Sequence, residues 1–301
     1  MSLFFVGRRP APGLYDSVCE SSAAVVIRTY SSSFGLASRL LADPVRTRVR
    51  NIYALVRVAD EIVDNPDPAL GREARARMLD WLLDDVRHAL QHGYSGNLVV
   101  HAFARTAVEC GIDADVIDPF FASMRMDLDP TVHTRETFDR YVYGSAEVVG
   151  LMCLRVFVAG DGVGAGTTEP TRAARDYDRL APGARRLGAA FQKLNFIRDL
   201  AEDHDTLGRR YFPGLDVDLF CDADRDRILD DIEADLAAAA AVVPELPVSS
   251  RRAVRVAHAI FTELAIRVRT TPAAEIRRTR VRVPDSVKVR LVAAALYRDR
   301  S

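Results

Sequence analysis

Apolar positions recur along the chain at helical spacing, and no stretch alternates with the two-residue period of a half-buried strand. The periodicity predicts helices over residues 16–29, 44–64, 71–92, 98–109, 113–127, 135–159, 172–204, 222–242, 249–270 and 285–297. Pro44 suits a first helical turn with Asp43 ahead of it as cap, and Pro284 and Asp285 open the last helix similarly. The breaks at 65–68, 91–96, 160–170, 208–221 and 244–249 are short, and the glycine-rich one at 160–170 is the most flexible. The sequence carries no internal repeat, which argues against a solenoid. The expectation is an all-α, single-domain helical bundle over residues 16–298, preceded by a loose N-terminus at 1–15.

Two of these helices invert the surface pattern. At ~100° per residue, Gln192, Asn195, Asp199 and Asp203 fall within an arc of roughly 80°. Phe191, Leu194, Phe196, Ile197 and Leu200 crowd the other sides. Tyr53, Arg57, Asp60 and Asp64 form a second polar stripe, within roughly 60°, on a helix otherwise covered by Ile52, Leu55, Val56, Val58, Ala59, Ile62 and Val63. A helix apolar on most sides is buried, and a buried unpaired carboxylate is too costly to keep. The stripes therefore face a shared pocket. Taken alone, an Asp-x-x-x-Asp pair is most often a solvated surface pair, and it is the second copy that shifts the balance. Four carboxylates around one pocket repel unless cations lie between them. Oxygen donors of this kind suit Mg²⁺, with Mn²⁺ as the alternative, bound by a few carboxylates plus substrate phosphates. The first-order reading is a metal-dependent diphosphate site held by Asp60, Asp64, Asn195, Asp199 and Asp203, with Glu61 on its flank.

Composition changes this picture little. The hydrophobic share of 49% and charged share of 28% are ordinary for a globular chain, and the net charge of -1 gives no electrostatic footprint for nucleic acid. Lys193 and Lys288 are the only lysines, a bias we read as codon composition. Cys19, Cys110, Cys153 and Cys221 are widely spaced and read as structural thiols of a reducing cytosol. The longest unbroken apolar run, 236–243, falls well short of the ~20 residues of a membrane span. At the start, Leu3–Val6 precede Arg8 and Arg9, the reverse of a signal peptide's order. The six histidines form no His-Glu-x-x-His or Glu-x-x-His pattern, and neither a dinucleotide fingerprint nor a P-loop is present.

Further candidates surround the stripes, each with a plainer reading beside it. The hydroxyls of Tyr30-Ser31-Ser32-Ser33-Phe34 suit diphosphate oxygens, with Phe34 lining an apolar tunnel; a serine-rich turn is the alternative. Arg39, Arg46, Arg48 and Arg50 read as a solvated face, whereas Arg57 has the phase of the aspartate stripe and suits phosphate. Gly144 and Gly150 sit inside a helix, where glycine costs ~1 kcal/mol relative to alanine. Close approach of a prenyl chain and helix–helix packing explain them equally well. The ring face of Tyr141 suits a carbocation. Gly208–Pro213, with Arg209 and Tyr211, either closes over a bound diphosphate or is an exit loop.

Tyr53-Ala-Leu-Val-Arg57-Val-Ala-Asp60-Glu-Ile-Val-Asp64 and Gln192-x-x-Asn195-x-x-x-Asp199-x-x-x-Asp203 resemble the two signatures of the squalene and phytoene synthase family. Tyr30–Phe34 resembles that family's flap, Met124-Arg125-Met126-Asp127-Leu128 also fits, and the likeness runs from about residue 16 to residue 298. Residues 120–127, 141–157 and 188–213 look most like actinobacterial phytoene synthases. The resemblance implies an isoprenoid synthase fold with a central cavity and a Mg²⁺-dependent head-to-head prenyl transfer. Two geranylgeranyl diphosphates would give 15-cis-phytoene through prephytoene diphosphate, in carotenoid biosynthesis. A squalene- or dehydrosqualene-type reaction on two farnesyl diphosphates is the alternative, and a non-catalytic binding or assembly relative is a different class. By this likeness Asp60, Asp64, Asp199, Asp203, Arg57 and Tyr141 carry catalysis. Ser31, Ser33, Phe34, Tyr53, Gln192, Asn195, Arg198, Arg209 and Tyr211 contact substrate. Long hydrocarbon substrates imply a cytoplasmic protein in peripheral contact with the membrane. Glu61, where the family often has Asp, and Glu147-Val148, where it has Gly-Thr, are departures.

Overall fold

The computed structural model describes residues 13–298 apart from 32, 68, 130–131, 161–169 and 202–208. In chain order its helices are α1 (Leu14–Tyr30), α2 (Ser33–Ser38), α3 (Val45–Val63), α4 (Arg72–His92), α5 (Leu98–Cys110), α6 (Ala114–Met126), α7 (Arg135–Val142), α8 (Val148–Ala159) and α9 (Pro170–Arg198). They continue with α10 (Asp222–Val242), α11 (Val248–Thr270), α12 (Ala273–Ile276) and α13 (Asp285–Arg298). Among the described residues there is no strand, only an isolated parallel bridge between Val132 and Arg210.

Local chemistry sets the ends. The Asn97 side chain accepts from the Val99 and Val100 amides, and Thr134 and Thr137 form a reciprocal capping box. Asp43 does not cap α3 as expected: its carboxylate binds Arg46 at 2.6 Å and the Thr47 hydroxyl at 3.2 Å. The expected loop after α1 contains α2, one turn too short to show periodicity, capped by Ser31 Oγ accepting the Phe34 amide at 3.1 Å. The loose terminus expected over 1–15 falls mostly on residues 1–12, outside the described set, and α1 already begins at Leu14. Most of the 160–170 loop is outside it too.

One apolar core joins α3, α4, α5, α6 and α8 through Ile52, Leu79, Phe103, Phe120 and Met152. A second joins the C-terminal half of α9 to α10 and α11 through Leu194, Ile197, Ile232, Val256 and Leu264. Each such side chain fully buried contributes ~1.5–3 kcal/mol. The stretch Arg135–Ala159, 25 residues, is long and apolar enough to cross a membrane, contrary to the reading of unbroken runs alone. Here it packs against α6 and α9 as a core helix.

That stretch is not uniform. Residues Tyr143–Glu147 form a π-turn between α7 and α8, a widening that recurs at functional sites. The two glycines have a packing explanation. A Cβ on Gly144 would lie 2.2 Å from the Pro119 carbonyl oxygen, and one on Gly150 2.7 Å from that of Ala184. Gly188 on α9 answers in kind, 2.5 Å from the Ala146 oxygen. The departure at Glu147 is explained by an ion pair with Arg185 of α9 at 2.6 Å. Arg48, expected to be solvated, is buried instead, donating to the Gly160 carbonyl at 3.2 Å and pairing with Glu109 at 3.4 Å.

Candidate active site

Both polar stripes open into one cavity of 1040 Å³, lined from both apolar cores. α3 contributes Tyr53, Arg57, Asp60 and Asp64; α9 contributes Gln192, Asn195, Arg198 and Asp199. Ser31, Phe34, Tyr141, Arg209 and Tyr211 line it as well. Asp203 lies outside the described residues, and so does the side chain of Ser33. α9 ends at Arg198, six residues before the expected helix end at 204; Leu200 and Ala201 are again helical, residues 202–204 lie outside the described set, and the Asp199 amide still donates to the Asn195 carbonyl at 2.9 Å.

The carboxylates do not share one environment. Asp60 has no close cation: Arg57 is 4.0 Å away and is also held by Glu61. Burial first, then the Asp64 charge, push the Asp60 carboxyl up to about 8. Asp64 is paired with Arg209 at 2.7 Å. Asp199 is gripped twice, by Arg198 Nε at 2.9 Å and by Arg280 Nε at 2.8 Å. Arg57 also lies over the Tyr30 ring, 4.4 Å from its centroid.

Three functional residues escaped the sequence reading or were underused by it. Arg280 comes from the segment before α13, within a basic run Arg277-Arg278-Thr279-Arg280-Val281-Arg282; that run was the available signal. Lys288, noted only for its rarity, lines the same cavity. Asp127, seen only as part of a motif, is the hub of a buried cluster. The Tyr141 hydroxyl lies 2.8 Å from both of its carboxylate oxygens, Tyr211 donates from 3.4 Å, and Arg209 reaches its backbone carbonyl at 3.2 Å. Burial raises the Asp127 carboxyl to about 6 against the opposing pull of Arg209 and Tyr141. Burial and the Asp127 charge together hold the Tyr141 hydroxyl well above its ordinary value, and Arg209, between Asp127 and Asp64, is held firmly protonated.

Tyr141 is 2% exposed and its ring stacks with Tyr211 at 5.4 Å. The cation-facing role expected of that ring therefore has little free surface, while its hydroxyl has a definite one in holding Asp127. The hydrocarbon wall is aromatic where the flap meets α9 and α11: Phe191 and Phe261 stack at 3.7 Å, and Phe34 lies 5.6 Å from each. Small residues, among them Ala37, Ser38, Gly183, Ala184, Ala239 and Ala253, line the cavity as well, beside larger ones such as Leu154, Phe157 and Leu264.

Among the described residues, no three His, Cys, Asp or Glu side chains converge closely enough to hold a metal ion alone. The donor set nonetheless fits a divalent ion shared with a bound anion. Burial and the neighbouring Asp64 charge disfavour ionisation of Asp60, a cost that a bound cation would relieve, and hard oxygen donors are what Mg²⁺ takes.

Comparison with known proteins agrees with this geometry. The chain is 29% identical over 207 residues to phytoene synthase 3, chloroplastic, of Zea mays, covering 67% of this chain and 44% of that protein. It thus spans about half the length of the curated relatives it matches first. It is 25% identical over 279 residues to a phytoene synthase of Pseudescherichia vulneris, covering 86% of this chain and 83% of the other. The fold superposes on a dehydrosqualene synthase crystallised with a ligand, with a TM-score of 0.77 at 20% identity over 95% of this chain and 98% of that one. The squalene/phytoene synthase profile matches residues 27–286, and the chain belongs to that family.

Proposed function

We propose that this chain is a head-to-head prenyltransferase that condenses two geranylgeranyl diphosphates into 15-cis-phytoene by way of prephytoene diphosphate, in carotenoid biosynthesis. The observation that carries the reading is the pair of acid stripes, Asp60/Asp64 and Asn195/Asp199, opening into one largely apolar cavity beside Arg57, Arg198, Arg209 and Arg280. The likeness to phytoene synthases supports the longer chains.

The arginines orient the diphosphate oxygens and stabilise charge as the allylic C–O bond breaks. The double bond of the second prenyl chain attacks the cation, and loss of a proton closes a cyclopropane. Ionisation of that intermediate, rearrangement and a second proton loss complete the product. The apolar walls around Phe34, Phe191 and Phe261 exclude water that would trap either cation. Asp60, Asp64, Asn195, Asp199 and Asp203 would hold Mg²⁺, or Mn²⁺, whose chemistry is to neutralise the departing pyrophosphate. Glu61 is bound to Arg57 and so helps to position it.

The test is product analysis by chain length after incubating purified protein and Mg²⁺ with each substrate. A C40 hydrocarbon from geranylgeranyl diphosphate is expected; a C30 product alone assigns the farnesyl-using reaction instead. Asp60→Ala should abolish turnover in a folded protein, and retained activity contradicts the site. The non-catalytic reading is disfavoured because all four aspartates are present. We infer that the protein acts in the cytoplasm, in peripheral contact with a bilayer, because its substrates and product would be long hydrocarbons.

A further inference from the structure

Beside the prenyl cavity lies a second, smaller cavity of 360 Å³, walled by α1, α2, α3 and the start of α13. Its charge is uneven. Arg28, Arg39 and Arg50 line it, and among the described residues none of the three has a carboxylate partner. The acids nearby are already committed: Asp43 to Arg46 at 2.6 Å and Asp285 to Lys288 at 3.1 Å. Arg50 is half-buried, and its Nε is shut away from solvent with no hydrogen-bond partner. Burial first, and then the like charges of Arg46, Arg39 and Arg28, depress the Arg50 guanidinium below its ordinary value against the opposing pull of Asp43. Arg28 and Arg39 are exposed, but Arg50, with its Nε desolvated and unpartnered, is costly to keep so, and an anion entering the hollow relieves it while meeting the other two guanidiniums.

We propose that this hollow is an anion site for the phosphate of an acidic lipid headgroup, and that it docks the enzyme on the bilayer with α1 and α13 against the lipid. The proposal rests on the prenyl-transfer reading only for its purpose, because a protein that handles C20 and C40 chains has to meet a membrane. The physical case is charge complementarity combined with an apolar rim. Leu14, Val18 and Val25 fall on one face of α1 within roughly 40°, all exposed, with Arg28 at the edge of that stripe. Val289 and Tyr297, eight residues apart on α13, are exposed as well, and Val289 lines the hollow itself. Basic side chains flanked by exposed apolar ones match an interfacial face, in which arginines take the headgroups and aliphatic groups enter the acyl boundary. A soluble phosphate accounts for the arginines but not for the apolar rim. Ile27, Ser31 and Ser38 line both cavities, so the docked face adjoins the hydrocarbon cavity.

The experiment compares the full chain with Arg39→Gln/Arg50→Gln in two arms. The first is co-sedimentation with vesicles of phosphatidylcholine alone or with 30% phosphatidylglycerol. The second is thermal melting with inorganic phosphate in the absence of divalent metal. Each basic side chain at an anionic surface is worth about fivefold in partitioning. The double variant should therefore bind the anionic vesicles about twentyfold more weakly, and added salt should erase most of the difference. Arg39→Glu, at an exposed position, guards against a folding defect and should weaken binding at least as much as loss of one arginine. Stabilisation by phosphate that the variant lacks, without any vesicle difference, would assign the hollow to a soluble anion and overturn the lipid source. Equal behaviour of variant and parent in both arms overturns the site itself. Product formation in detergent micelles tests the prenyl-transfer reading separately, since none of these arginines lines the larger cavity.

Discussion

Lys193→Met tests how α9 is held in place behind the active site. Lys193 follows Gln192 on α9 but points the other way, into the contact with α10. Its side chain is 8% exposed, with Nζ 2.5 Å from Asp231 and 2.8 Å from Asp235. Asp235 is itself 2% exposed and also takes Arg186 at 2.8 Å. The two carboxylates raise the Lys193 ammonium above its ordinary value despite burial. Methionine keeps the aliphatic stem and removes the charge, leaving Asp235 buried with a largely exposed arginine as its remaining partner. Removing one member of a buried pair costs about 3–5 kcal/mol. Because Arg186 still neutralises Asp235, about 2–4 kcal/mol is expected. Urea denaturation measures it as a lower midpoint at unchanged slope. Lys193→Met/Asp235→Leu should regain most of the loss, since the uncompensated charge is gone. Lys193→Arg should not serve as a rescue, because a planar guanidinium does not occupy the place of a compact ammonium. The raised pKa adds a pH signature. Its stabilisation is complete below the unfolded lysine value and is lost as pH rises through the higher folded one. A single variant as stable as the parent, or a double variant no better than the single, refutes this account.

Three further outcomes follow from the same geometry. With chelator present, Asp60 keeps its proton up to about 8 in the folded chain but ionises near 4 once unfolded; that carboxyl's contribution to stability therefore falls as pH rises through that window, by roughly 2–5 kcal/mol. Asp60→Asn should flatten the slope relative to the parent in urea titrations at pH 5 and pH 8. Gly188→Ala sets a methyl against the Ala146 carbonyl and should cost about 1–3 kcal/mol in calorimetry, with no loss if the helices separate freely. Tyr141→Phe removes a donor to buried Asp127 and should lower stability by about 1.5–3 kcal/mol; an unchanged melting temperature contradicts the hub role of Asp127.

The parts of the site carried by one helix were legible in the sequence. Asp60 and Asp64, like Asn195 and Asp199, share a phase on their own segment, and helical periodicity alone places them on one face. Partners delivered from afar were not. Arg280 reaches Asp199 across 81 positions of chain, and no local pattern encodes that pairing. Asp127 has a different reason: a single aspartate after an apolar helix looks like any helix end until Tyr141, Tyr211 and Arg209 are seen to enclose it. Arg48 and Arg50 misread for a third. Their segment is arginine-rich, and composition cannot say which arginine turns inward. The π-turn also left no periodic trace, because one widened turn shifts the phase by less than one position.

The charge pairing inside the cavity argues for one last property, coupling between cation and anion. The cations suited to pyrophosphate are bound by the carboxylates suited to a metal: Arg209 by Asp64, and both Arg198 and Arg280 by Asp199. Either ligand alone must break an existing ion pair and leave half of it unpaired. Both together exchange partners, with the carboxylates going to metal and the guanidiniums to phosphate oxygens. The arrangement predicts opposite signs for Arg280→Ala. Binding of Mn²⁺ alone, read from the loss of its free paramagnetic signal, should tighten severalfold because Asp199 is partly released. Binding of pyrophosphate in the presence of the metal, read by calorimetry, should weaken about tenfold or more for loss of a charge-assisted contact. A generally damaged cavity moves both in the same direction, and so would a cavity whose arginines and acids act independently; either result removes the case for exchange.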